Sequence, residues 1–303
     1  MRLVFLGSPA FALPSLEALH AADHQIGLVV TQPDRPAGRG QKPTPPPVAA
    51  YAREHNLPLW QTSSLRGPEA EERLDSAGAD GMALAAFAAL VPDNILDMTP
   101  RGILNVHPSL LPRYRGAAPI QAALAAGDRG TGVSIIRLVQ AMDAGPILLQ
   151  ELVPISDEDD YLTLEPRLAA IGARLLLRAL NDDPPGVPQD EAQATYCRRI
   201  EREDARIDWT RPAEQTWNQV RAYRGWPQAF TEFEGRHLKV LRAWPADGPM
   251  AEPGTVQVVL GVPLVATGDR WLRLDEVQYE GRRALSGAEF LRGSPRLGTA
   301  KLA

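Results

Sequence analysis

Through its first 180 residues the chain alternates short apolar runs with amphipathic stretches, and this rhythm constrains the fold more than any other feature. Strand-like runs fall at 2–6, 26–31, 57–60, 80–87, 101–105 and 131–137, and helix-like stretches at 10–21, 46–55, 67–77 and 116–126. Strands separated by helical crossovers pair in parallel, and a parallel sheet is stable only when helices cover both faces. One more strand is predicted over 147–155. A long helix follows over 162–180, with Leu164, Leu168, Ile171, Leu175 and Leu176 on one stripe. The predicted class is α/β, with a mostly parallel sheet.

The punctuation then changes. Asp182 to Glu191 is polar and proline-rich and reads as a linker. Five of the six tryptophans (209, 217, 226, 244 and 271) lie beyond it, among short strand-like runs at 229–233, 237–243, 254–260, 263–266 and 271–277. Such runs, broken by Gly, Pro and Asp, predict a smaller C-terminal β-barrel. The expected boundaries are 1–187 for the first domain, 188–204 for the linker and 205–303 for the second. At 303 residues the chain can hold two cores, because single cores stop growing near ~250–300 residues.

Composition removes several classes of function. The longest uncharged apolar run, Met82 to Val91, is half of what would span a bilayer, so no membrane association is predicted. The first residues run directly into Leu3-Val4-Phe5-Leu6 with no cleavage-site pattern, and a cytoplasmic location is expected. A lone cysteine, Cys197, excludes internal disulfides, and the five histidines show no metal-ligand spacing, so no metal is predicted. The net charge of −5 argues against indiscriminate nucleic-acid binding. It is unevenly spread: 17 basic against 23 acidic residues up to position 200, and 15 against 14 beyond.

Two loops in the first half stand out. Gly7-Ser8-Pro9 lies where dinucleotide-binding folds carry G-x-G-x-x-G, but only one glycine is present, so that fingerprint fails. The segment from Thr31 to Pro43 sets Arg35, Arg39 and Lys42 among glycines and prolines with no large apolar anchor. It is either a solvated turn or an arm that orders against a phosphate backbone, the usual partner of such residues.

Residues 105–121 carry the chemistry. Asn105 and His107 end a predicted strand at the same parity, so both face one cleft beyond its carboxyl end, where ligands bind in open α/β sheets. An amide donor beside an imidazole suits a carbonyl oxygen that gains negative charge, which points to acyl-type transfer. Asp143, in the turn Met142-Asp-Ala-Gly-Pro146, is a carboxylate able to reach His107. Pro108 restricts His107 to extended geometry.

The motifs Asn105-x-His107, Ser109-Leu-Leu-Pro112, Arg115-Gly-Ala-Ala-Pro-Ile-Gln121 and Asp143-Ala-Gly-Pro146, in this order, resemble the 10-formyltetrahydrofolate-dependent formyltransferases. Gln32-Pro-Asp-Arg-Pro-Ala-Gly-Arg-Gly40 and Ala205-Arg-Ile-Asp-Trp209 narrow the resemblance to the branch acting on methionyl initiator tRNA. The resemblance implies a Rossmann-like formyl-transfer domain followed by an OB-like barrel that binds tRNA, and a monomer in the bacterial cytoplasm. It implies 10-formyltetrahydrofolate as formyl donor, with no other cofactor. Asn105, His107 and Asp143 become the catalytic set, and Ser109, Leu110, Leu111 and Pro112 the folate contacts. Arg35, Arg39 and Lys42 become contacts to the tRNA acceptor end, with C-terminal arginines such as Arg221, Arg224, Arg236 and Arg242 tracking the RNA backbone. A sugar-nucleotide or glycinamide ribonucleotide formyltransferase is the competing reading within the same chemistry.

Overall fold

The computed structural model describes residues 1–37, 40 and 42–303. Its alternating half forms β1 (Arg2–Gly7), α1 (Leu13–Ala21), β2 (Gln25–Thr31), β3 (Arg35–Ala37), β4 (Lys42–Thr44), α2 (Pro47–Glu54), β5 (Leu59–Gln61), α3 (Pro68–Ser76), β6 (Gly81–Ala85), α4 (Asp93–Leu96), β7 (Ile103–His107), β8 (Arg115–Gly116), α5 (Pro119–Ala126), β9 (Gly130–Arg137), β10 (Ile147–Pro154) and α6 (Tyr161–Asp182). Seven strands pair in the order β10-β9-β7-β6-β1-β2-β5. The β5, β2, β1, β6 and β7 neighbours are parallel, and β9 joins β7 antiparallel. The chain winds one way from β1 to β5 and the other way from β6 to β7. The order therefore reverses at the β1–β6 boundary, the place where open α/β sheets bind ligands.

Strand parity sorts the core into two faces. Val4, Leu6, Met82, Leu84 and Ile103 pack with Ala70, Leu74 and Ile95 of the α3 and α4 segments. Asn105 and His107 follow Ile103 at steps of two, so they continue this face past the apolar layer. Val106 points the opposite way, under α6, where Gly172 lets the helix approach: a Cβ there would stand 2.5 Å from Val106 Cγ1. The solitary Gly7 serves close packing too, since a side chain at that position would meet the Ala85 carbonyl and Ala12 Cβ, each at 2.8 Å.

The second compact unit gathers residues 117–130, 155–164 and 197–303, while the first holds 1–116, 131–154 and 165–196. Downstream elements are β11 (Tyr196–Cys197), α7 (Ala213–Ala222), β12 (Phe230–Phe233), β13 (Arg236–Ala246), β14 (Val256–Val259), β15 (Val262–Ala266), β16 (Trp271–Tyr279), β17 (Ala284–Ser286) and α8 (Gly287–Gly293). Strands β12-β13-β16-β15-β14, with β17 on β16, form a curled antiparallel half-barrel. Its core contains Trp209, Trp217, Val240, Leu272, Leu274 and Phe290.

Strands β12 to β16 lie where the sequence predicts them, but β17, α7 and α8 were not anticipated. Helix α7 is short, and Ala213, Trp217, Val220 and Ala222, its apolar positions, stand among polar residues that are buried as well. A second correction concerns Arg221. Predicted to track RNA, it is only 9 % exposed: its guanidinium lies over the Trp217 ring and donates to Ser156 O, Asp159 O and Asn218 Oδ1. A charge held inside its own compact unit in this way is not open to a phosphate. No described helix is long and apolar enough to cross a membrane.

Candidate active site

At the carboxyl end of β7 the sheet presents two buried polar side chains. Asn105 is 7 % and His107 4 % exposed. The Asn105 carboxamide makes no hydrogen bond to any described residue. An amide this deep normally finds a partner, so its free donors mark a place where a ligand oxygen would complete the set.

His107 is fixed from both sides. Nε2 lies 2.9 Å from the Tyr114 carbonyl. A carbonyl only accepts, so Nε2 carries a hydrogen, and in the neutral ring Nδ1 holds the lone pair. Asp143 Oδ2 stands 3.6 Å from that Nδ1 and accepts a hydrogen bond from Gly116 N–H at 2.8 Å. The structure thus brings His107 and Asp143 together from positions 36 residues apart, and the 114–116 segment touches both.

Two residues here are held in the left-handed region without being glycine: Tyr114 at φ +59° and Asp143 at φ +48°. Such conformations cost about 1–3 kcal/mol each and persist only where their surroundings impose them. Thr195 holds the first, its Oγ1 accepting from Tyr114 N–H at 2.8 Å while its carbonyl accepts from Arg115 N–H at 2.8 Å. Gln189 holds the second, its Nε2 donating to the carbonyls of Asp143 and Gly145, both at 2.7 Å. Gly145 is required in that turn because any side chain would run into the Arg137 carbonyl.

The segment 109–112 is built into the strand end. Ser109 is fully buried; its hydroxyl donates to Arg113 O at 2.6 Å, and its carbonyl accepts from Ser134 Oγ at 2.7 Å. Leu111 N–H donates to Ser134 Oγ, and its carbonyl accepts from Gln150 Nε2. Leu110 leans over Gly132 of β9, and Pro112 follows a cis peptide. With the Ser109 hydroxyl committed internally, Leu110, Pro112 and the backbone are what this segment offers a ligand.

The basic loop folds as a hairpin. Arg35 pairs with Thr44 and Ala37 with Lys42, which places Arg35 and Lys42 on one face, both exposed. Asp34 anchors its base, accepting from Gln61 at 2.8 Å and from Arg53 at 3.2 Å; those donors hold its carboxyl below the usual range. Arg39 lies outside the described residues.

The model of the family "Formyl transferase" matches residues 1–180, and that of "Formyl transferase, C-terminal domain" matches 199–295. The methionyl-tRNA formyltransferase of Methylococcus capsulatus is 44% identical, over 99% of this chain and 100% of its own. The chain belongs to the methionyl-tRNA formyltransferase family. That of Cereibacter sphaeroides is also 44% identical, with 97% of each chain covered. Among solved structures, the Helicobacter canadensis N-formyltransferase bound to folinic acid and dTDP-3-aminofucose aligns at TM-score 0.68, with 17% identity over 91% of this chain and 98% of its own. The Clostridium thermocellum methionyl-tRNA formyltransferase aligns at 0.58, with 14% identity over 92% and 98%. At these identities the two structures speak to fold alone.

Sequence reasoning missed the polar residues that hold the site: Ser134, Gln150, Gln189, Thr195 and Glu191, whose carboxylate accepts from the buried Arg115. Ser134 and Gln150 lie on β9 and β10, where a polar residue in an apolar strand is a weak signal. The other three fall in or beside the stretch predicted as a linker, where polarity normally signals solvent.

Proposed function

We propose that this chain transfers the formyl group of 10-formyltetrahydrofolate to the α-amino group of methionyl initiator tRNA. One observation carries the catalytic assignment: an Asn105 carboxamide with no hydrogen-bond partner among the described residues shares a sheet face with a His107 imidazole whose Nδ1 lies 3.6 Å from Asp143. That is a hydrogen-bond donor for a developing oxyanion beside a proton-carrying pair.

In this reading the neutral α-amine attacks the formyl carbon. Amines of this type titrate near ~7.7–8.0, so no strong base is needed to expose the lone pair. A new C–N bond forms while the carbonyl oxygen becomes anionic, and Asn105 donates to that oxygen. Collapse breaks the bond from the formyl carbon to N10 of the folate. The proton lost by the attacking nitrogen returns to N10 through His107 Nδ1, and the Asp143 carboxylate stabilises the imidazolium while it exists. The 109–112 segment borders the folate through Leu110, Pro112 and backbone groups.

Residues 1–187 supply this chemistry. Arg35 and Lys42 on the hairpin face, with Arg39 between them in sequence, meet acceptor-stem phosphates, and residues 205–303 track the RNA further along. The protein works as a monomer in the bacterial cytoplasm. Single-turnover formylation with Asn105→Ala, His107→Ala and Asp143→Ala tests the assignment. Loss of one oxyanion donor typically costs ~10²–10³ in rate, and Asn105→Ala is expected in that range. Near-wild-type rates in all three variants refute it.

A further inference from the structure

The segment from Gln189 to Tyr196 does more than join two domains. Arg115 is the largest fully buried side chain among the described residues, at 1 % exposure, and this segment supplies its partners. Glu191 takes Nη1 and Nη2 as a fork at 2.8 and 2.7 Å, and its carboxylate strengthens the charged form of the guanidinium. Gln189 Oε1 accepts from Nε and Nη2 at 3.1 and 2.9 Å. The opposite end of the same amide donates to Asp143 O and Gly145 O. A buried cation therefore fixes the orientation of one amide, and that amide caps both carbonyls of the turn holding Asp143 at φ +48°.

We propose that Gln189, oriented by Arg115, is a positioning residue that sets the Asp143 carboxylate against His107. This rests on the catalytic reading above and adds a device to it. Two links converge on Asp143: Gly116 N–H, beside Arg115, fixes its carboxylate, and Gln189 Nε2, held by Arg115, fixes its backbone. The amide has to be an amide. Its oxygen faces a cation and its nitrogen faces two carbonyls, so the isosteric carboxylate satisfies Arg115 but sets an anion against Asp143 O and Gly145 O.

The test uses the full-length chain with Gln189→Glu, and with Gln189→Asn as companion, one methylene too short to span both ends. Single-turnover rates, KM for each substrate and the thermal midpoint are measured beside Asp143→Asn and the double variant Gln189→Glu/Asp143→Asn. A displacement near 1 Å at a reacting group costs up to ~10²-fold, so kcat should fall about 10–100-fold in both Gln189 variants. Both KM values should stay within about twofold, because the amide touches neither substrate. Adding Gln189→Glu to Asp143→Asn should cost no further rate. Wild-type kcat in either folded Gln189 variant while Asp143→Asn is impaired overturns the positioning role alone, as does a rate loss in the double variant that multiplies independently. A wild-type rate in Asp143→Asn overturns the catalytic reading itself, and with it anything Gln189 could position.

Discussion

Gly172 offers a sharp trial of how tightly the scaffold sets the site. An alanine Cβ there would stand 2.5 Å from Val106 Cγ1 and 3.5 Å from Val133 Cγ1. Relaxed carbon contacts lie near ~3.5–4.0 Å, so helix and strand must part by about 1 Å. Overpacking of this kind costs about 1–3 kcal/mol, and replacing a mid-helix glycine returns about 0.5–1 kcal/mol. The net loss in stability is about 0–2.5 kcal/mol, a few degrees in thermal midpoint. Activity should suffer more. Val106 sits between Asn105 and His107 on a five-residue strand, so a shift of the backbone at 106 moves both side chains proposed for catalysis. If the strand takes half the displacement, kcat should fall about tenfold, scaling from ~10² for a full 1 Å. Val106→Ala removes the obstructing methyl, so the double variant Gly172→Ala/Val106→Ala should regain most of the lost rate. The assay is single-turnover formylation beside a thermal melt. Wild-type kcat in Gly172→Ala, or no recovery in the double variant, refutes the reasoning.

Three further outcomes are expected. Arg35→Ala and Lys42→Ala should each weaken tRNA binding and lower the slope of log affinity against log salt by about one, leaving the folate KM unchanged; an unaltered slope removes the hairpin from the RNA interface. Burial, aided by the charge of the N-terminus, holds the His24 imidazole below its ordinary value of 6.5. The unfolded chain then binds more protons than the folded one just below that pH, so stability should fall as pH drops through about 6.5. In His24→Gln the midpoint should vary less between pH 7.5 and 5.5; an identical slope sinks the assignment. Trp209 is 4 % exposed and donates to Thr231 Oγ1 at 3.0 Å, whereas Trp226 is 57 % exposed. Denaturant titration should show a loss of about 3–5 kcal/mol for Trp209→Ala and under about 1 kcal/mol for Trp226→Ala.

What was legible in the sequence is what local pattern encodes. The alternation over residues 1–180 marks each strand of the main sheet to within a few residues, since a doubly covered strand must be continuously apolar. The parity of Asn105 and His107 is equally local, because two residues apart on a strand is one face whatever the strand pairs with. Helices α7 and α8 were hidden for the same reason in reverse. Their residues are chosen by the barrel they cover, so polar side chains such as Asn218 and Gln219 are buried and the helical period is blurred.

The strap from Gln189 to Tyr196 shows where such reading stops. A stretch reading Pro-Pro-Gly-Val-Pro-Gln-Asp-Glu has no apolar face and follows a long helix, and both facts favour a solvated tether. Much of its order comes from a partner 74 residues earlier in the chain: a guanidinium that cannot be buried without acceptors. Arg115 was visible in the Arg-Tyr-Arg-Gly motif, yet an arginine in a motif near a ligand cleft suggests a contact to substrate. Burial reverses that inference. At 1 % exposure its charge is met by Gln189 and Glu191, so it acts on whatever those residues hold, and Gln189 holds the turn of Asp143. The consequence is testable through partner order: Glu191→Gln, which keeps the shape but removes the anion, should harm activity less than Gln189→Glu, because only the latter reverses the polarity facing Asp143. Equal losses in kcat would mean that the charge of the pair, and not the direction of the amide, governs the site.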